Sequence, residues 1–218
     1  MRTKTLILAA VLSAAGAATS LAQVYSVNMV GYINLKINPG FSMIANQLKA
    51  TPDNKITTLF GTALPNNSAI FKFTGTGYAV DSFIDGAWEG DDLNMTLNPG
   101  EGVFIYIPGT TAYTNTFVGE VSVGTTANPI PAGFSVRSSV IPQSLPLTGA
   151  PPAGLDYPIG NNDSVYQFTG TGYRVNSYID GAWEGDNNGQ PPVPAIGESF
   201  FVFNAGAAKT WTRNFSVN

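Results

Sequence analysis

Two short acidic segments carry the residues whose types and spacing come closest to a binding site. Residues 85–92 read DGAWEGDD, and residues 180–186 read DGAWEGD. Carboxylates on a glycine-rich loop suit Ca²⁺, which takes about 6–8 oxygen ligands, although the spacing is not that of an EF-hand. Calcium is therefore one hypothesis for a cofactor, and the alternative is a pair of solvated loops whose aspartates form turns. The calcium hypothesis assigns six ligands: Asp85, Glu89, Asp91, Asp180, Glu184 and Asp186.

Each acidic segment also has an aromatic residue at its centre. Trp88 and Trp183 lie among glycines and carboxylates, and Tyr78 and Tyr173 lie on the predicted strands that lead into the segments. Aromatic rings beside polar acceptors stack on sugars, so these four residues are candidates for a carbohydrate-binding site. The alternative, which we favour, is that each tryptophan packs into its own core, because buried aromatic side chains dominate the energetics of small cores.

The composition excludes several classes of catalysis. The chain contains no histidine and no cysteine, which rules out Ser-His-Asp and Cys-His mechanisms and zinc sites with histidine ligands. A glycosidase would need two carboxylates at a set separation, for which Asp85 with Glu89, or Glu101, are the available residues. Such a pair repeated in two small units, without a predicted cleft, does not make an active site. We therefore predict that the protein is not an enzyme.

The first 22 residues are typical of a secretory signal peptide. Arg2 and Lys4 precede an apolar run that is too short to span a bilayer, and small residues precede a cleavage site after Ala22. We therefore expect a secreted or cell-surface protein with no transmembrane segment after cleavage. The remaining chain would carry eight basic and fourteen acidic residues, a balance that argues against nucleic acid and anionic lipid as partners.

An internal repeat determines the predicted organisation. Residues 73–91 and 168–186 are identical at 16 of 19 positions, at an offset of 95. The repeat predicts two similar units, at residues 23–123 and 124–218, with residues 124–129 as the linker between them. The FTGTGY segments alternate as strands around glycine-rich turns, in which Gly77 and Gly172 are expected to adopt positive φ.

The predicted fold is therefore mainly β. The two tandem units pack either as a pseudo-two-fold sandwich or as two small β domains. One short helix is expected in the first unit, starting from a cap at residues 51–53 and ending at Gly61, with Ile56, Leu59 and Phe60 at helical spacing.

The pattern also resembles a known family. The segments GFSMIAN at 40–46, IFKFTGTGY at 70–78 and NPGEGVF at 98–104 are similar to those of secreted bacterial proteins that carry a duplicated β-unit after a signal peptide. They are similar, more distantly, to β-modules of large bacterial surface proteins. The resemblance implies export and a β fold and brings no catalytic residues. We accordingly expect a non-catalytic surface or matrix module that associates with itself or with other envelope proteins; the alternative is a carbohydrate- or calcium-binding module.

Overall fold

The computed structural model describes residues 29–217, and the predicted signal peptide lies outside them. The protein is mainly β, with 47% of its residues in strands and 3% in a helix, which confirms the predicted fold class. The first half contains, in chain order, β1 (Val30–Ile37), β2 (Gly40–Ile44), α1 (Ile56–Phe60), β3 (Ser68–Phe73), β4 (Tyr78–Ile84), β5 (Ala87–Gly90), β6 (Val103–Ile107) and β7 (Tyr113–Glu120). The second half contains β8 (Gly124–Ile130), β9 (Gly133–Arg137), β10 (Asp163–Phe168), β11 (Tyr173–Ile179), β12 (Ala182–Gly185), β13 (Phe200–Asn204) and β14 (Lys209–Phe215).

The two halves have the same strand order. In the first half β2-β6-β3-β4-β5 form an antiparallel sheet and β1 pairs with β7; in the second half β9-β13-β10-β11-β12 form the matching sheet and β8 pairs with β14. Every one of these strand pairs lies within a single half. Each half thus consists of a five-stranded sheet and a two-stranded sheet, and the two halves pack together as a sandwich.

The hairpin of β3 and β4 shows why these residues form strands. Apolar residues alternate along both strands, and Phe73 lies opposite Tyr78 across a four-residue turn. One face of this sheet is buried in the first core, where Ile70 and Phe83 pack with Ile56 and Phe60 of α1. The corresponding core of the second half contains Trp183, Phe200 and Trp211 among others.

The helix begins later in the chain than the predicted cap at residues 51–53 implies. It begins at Ile56, while the Asp53 carboxylate accepts hydrogen bonds from the Lys55 backbone N–H at 3.1 Å and from Thr58 Oγ1 at 2.6 Å. Gly61, at φ +54°, ends the helix as predicted. The five residues of α1 cannot cross a membrane, and nothing else in residues 29–217 forms a helix of membrane-spanning length.

Two segments were assigned to the wrong secondary structure. Residues 124–129, predicted as a linker, belong to strand β8, in which Pro129 lies opposite Thr210 of β14. Proline is tolerated there because a two-stranded sheet consists of edge strands. The acidic segments, interpreted as loops, contain the edge strands β5 and β12. The Asp85-Gly86 pair forms the two-residue turn into β5 with φ values of 49° and 84°, as a type I′ turn requires.

The FTGTGY turns also differ from the prediction in one position. Positive φ occurs at Gly75 (+100°) and Gly170 (+97°), and neither Gly77 nor Gly172 is in the left-handed region. The turn is closed by the Thr74 backbone N–H, which donates to the carbonyl oxygen of Gly77 at 2.9 Å.

We expect Gly75→Val to reduce the free energy of unfolding by about 1–2 kcal/mol, because a β-branched residue is strained at positive φ. Gly77→Val is the matched control, since an added Cβ meets nothing within 4 Å at either position and only the backbone conformation differs. Urea unfolding of both variants measures the difference. Equal stability of the two variants would contradict the turn assignment.

Candidate functional site

The structure does not bring the four candidate sugar-binding residues together. Tyr78 lies on the opposite face of β4 from Phe83, whereas Trp88 lies opposite Phe83 on the neighbouring strand and shares its face. The second half repeats this arrangement with Tyr173, Tyr178 and Trp183. Trp88 and Trp183 therefore face the cores of their own halves, and Tyr78 and Tyr173 face away from those cores.

Both indoles are held by packing and by a hydrogen bond. Trp183 is 7% exposed and packs against Tyr178, with ring centroids 5.5 Å apart, and its Nε1 donates to Thr148 Oγ1 at 3.1 Å. Trp88 is half-buried against the first core, and its Nε1 donates to the carbonyl oxygen of Gly61 at 2.9 Å. This placement agrees with the core interpretation of the tryptophans.

The six candidate calcium ligands are dispersed around the two hairpin ends. Asp91 and Asp186 each accept a hydrogen bond from a backbone N–H of the adjacent strand, at 2.9 and 2.8 Å. Asp85 Oδ1 accepts a hydrogen bond from Asn66 Nδ2, and the Asp180 backbone N–H donates to Asn161 Oδ1. Glu89 and Glu184 are both exposed. Within residues 29–217 no three acidic side chains lie close enough together to hold a metal ion. The aspartates therefore form hydrogen bonds at the turns and strand ends.

A different feature stands out on the other face of the five-stranded sheets. We call it the aromatic face. In the first half its rings are Phe41, Phe71, Phe73, Tyr78, Phe104 and Tyr106. In the second half its rings are Phe134, Tyr166, Phe168, Tyr173, Phe201 and Phe203. All twelve rings take part in contacts with other rings of the face.

The rings are related by a pseudo-two-fold axis between the halves. Phe73 contacts Phe201 with centroids 5.4 Å apart, and the equivalent pair Phe168 and Phe104 is separated by 5.3 Å. Phe104 and Phe201, which are equivalent to each other, meet at 6.0 Å. The rings near the axis thus form the core between the two halves.

Backbone contacts fix the same symmetry. The Ala45 N–H donates to the Gly197 carbonyl oxygen at 2.9 Å, and the equivalent Ser138 N–H donates to the Gly100 carbonyl oxygen at 3.0 Å. Gly102 lies where an added Cβ would overlap Ser199 Cβ. This close approach leaves no room for a larger residue, so the orientation of the two sheets is tightly constrained.

Away from the axis the rings emerge into solvent. Phe41, Tyr78, Phe134 and Tyr173 are 45%, 43%, 46% and 42% exposed. Tyr78, Phe134 and Tyr173 line a hollow of about 380 Å³ whose other walls are also aromatic. The aromatic face therefore begins as a buried contact between the halves and ends as an open surface.

No charged side chain occupies this face of the central strands. On β4 and β11 the residues that follow Tyr78 and Tyr173 on this face are Val80, Ser82, Val175 and Ser177. The first charged neighbours are on the edge strands. Burial raises the pKa of the Tyr78 hydroxyl, and burial together with Tyr78 raises the pKa of Tyr173. Both phenols are therefore neutral at physiological pH, and the face can make apolar contacts and accept or donate hydrogen bonds at its tyrosines.

Sequence reasoning found only the tyrosines of this site. The sequence of β6, VFIYI, indicates the aromatic face, because apolar side chains point to both faces of the sheet along this strand. A strand that is apolar on both faces needs partners on both sides. Comparison with protein-family models, curated proteins and solved structures finds no match for this chain.

Proposed function

We propose that the protein is a non-catalytic module of an extracellular surface or matrix, and that it acts by binding through the aromatic face. The observation that carries this proposal is the continuous, uncharged and partly exposed set of aromatic rings. Soluble monomers rarely leave contiguous apolar patches of this kind in water, and such patches mark interaction sites. Aromatic residues are also enriched at the centres of interfaces, where they contribute most of the binding energy.

The proposal is tested by binding to the envelope fraction of the cells that make the protein. The purified wild-type protein should sediment with this fraction, and Phe134→Ser should weaken the binding by about tenfold, which corresponds to about 1.4 kcal/mol. Leu93→Ser is the matched control, because Leu93 is also exposed but lies in the loop after β5, outside the aromatic face. Wild-type protein that stays in the supernatant, or equal binding by both variants, would contradict the proposal.

A carbohydrate ligand is the second candidate function. It is favoured by the exposed rings of Tyr78 and Tyr173, which carry hydroxyl groups and share one hollow. The geometry supports it less well, because neighbouring rings are tilted by 51–89° and do not form a flat platform for sugar rings. A glycan array that shows saturable binding by the wild type and none by Tyr78→Ala would place this function first.

A further inference from the structure

We propose that the partner of the aromatic face is a second copy of this chain, which packs face to face around a two-fold axis. This inference rests on the proposed function, because it names the occupant of the same surface. Three observations carry it: the continuity of the face with the contact between the halves, its symmetry and lack of charge, and its area.

The first observation is that the face continues an interface that the protein already makes. The contacts between Phe73 and Phe201 and between Phe104 and Phe168 join the first half of the chain to the similar second half. The exposed rings Phe41 and Phe134 extend these contacts outward, since each also packs against an inner ring of its own sheet, at 6.3 Å. A surface that binds one copy of this unit therefore has suitable chemistry for further copies.

The second observation concerns symmetry and charge. In a two-fold dimer the same patch meets itself, so the patch must be self-complementary. The pseudo-two-fold axis gives the aromatic face two equivalent sets of rings, and rotation about a perpendicular axis brings equivalent rings together. The chain has a formal net charge of −4, so two copies repel each other wherever charged surfaces meet. The aromatic face is free of charge along its central strands, so two acidic copies can meet there without apposing like charges.

The third observation is the size of the surface. A buried aromatic side chain covers about 150–250 Å², so the exposed parts of the four outer rings and the half-buried parts of their neighbours amount to about 1,000 Å² over two copies. That area is about the lower limit for a specific interface. It is consistent with a dimer that dissociates on dilution.

The experiment is sedimentation velocity of the protein purified from the cells that make it, over a wide range of concentration. The wild type should form dimers reversibly, and Phe41→Lys and Phe134→Lys should each raise the dimer dissociation constant by at least about tenfold, because each variant buries like charges in the interface. Leu93→Lys is the control for added charge and should dimerise like the wild type. Circular dichroism melting establishes that each variant is folded.

Ionic strength provides an independent readout. Added salt screens the repulsion between the acidic copies, so dimerisation through an uncharged face should strengthen as salt increases. A monomer at every concentration, or a dimer that survives both lysine substitutions, would overturn the inference. The outcomes separate the two proposals. Envelope binding by a strictly monomeric protein supports the proposed function and overturns this inference. A dimer that depends on the aromatic face but does not bind the envelope fraction supports this inference and overturns the proposed function.

Discussion

Replacing Trp183 by alanine should reduce the free energy of unfolding by about 3–5 kcal/mol, the usual cost of emptying a large aromatic site in a core. The indole is buried against Tyr178, and the variant also leaves Thr148 without its hydrogen-bond donor. Trp88→Ala should cost less, because Trp88 is half-buried. Urea unfolding measures the three stabilities.

Trp183→Phe is the appropriate control. It keeps an aromatic ring in the site and removes the hydrogen bond, so it should retain more than half of the stability that alanine loses. Acrylamide quenching of tryptophan fluorescence gives a second readout, since a buried indole is poorly accessible to the quencher. A Trp183→Ala variant as stable as the wild type, together with a readily quenched indole in the wild type, would restore the tryptophans as candidates for a binding platform.

Replacing Gly102 by valine should reduce the free energy of unfolding by about 3 kcal/mol through overpacking. The new side chain would overlap Ser199 and approach Val136 Cγ1 at 2.7 Å, and both of these residues belong to the other half. The backbone of Gly102 is not at positive φ, so the effect is steric alone. If the halves were independent domains, this substitution would leave the melting curve unchanged.

An exchange across the pseudo-two-fold axis controls for the substitution itself. Gly102→Ser alone should destabilise the protein, and the double variant Gly102→Ser with Ser199→Gly should recover most of the loss, because one side chain is moved from one half to the other. Calorimetry should show a single transition for the wild type and the double variant. No recovery in the double variant would mean that the contact between the halves does not limit stability.

Much of the fold could be predicted because it is encoded locally and twice. The bounds of β3 and β4 follow from alternation on either side of a glycine-rich turn, and the offset of 95 residues transfers them to β10 and β11. Gly61 likewise ends the helix as its own chemistry predicts, whereas the start at Ile56 lies after the predicted cap at residues 51–53. The elements that are determined by residues nearby in the sequence could therefore be predicted.

The aromatic face and the edge strands were not accessible in the same way. Alternation places Tyr78 on a strand, but Trp88 was interpreted as part of a loop. Only the pairing of Phe83 with Trp88 shows that Trp88 is on a strand and lies on the face opposite to that of Tyr78. The inner rings Phe73, Phe104, Phe168 and Phe201 contact rings of the other half, at sequence separations that local patterns do not encode. Residues 124–129 were misread because proline and glycine usually mark linkers, and only the pairing with β14 makes them a strand.

The close approach of Gly102 to Ser199 has a consequence for how such a protein can vary. In a dimer of identical units, a residue on the symmetry axis faces its own copy, so any change there is made twice and a bulky side chain collides with itself. Here the two units share one chain, and equivalent positions carry different residues: glycine faces serine, and Met43 corresponds to Val136. Covalent joining therefore permits unequal pairs at the axis, which a symmetric dimer of either unit alone could not contain.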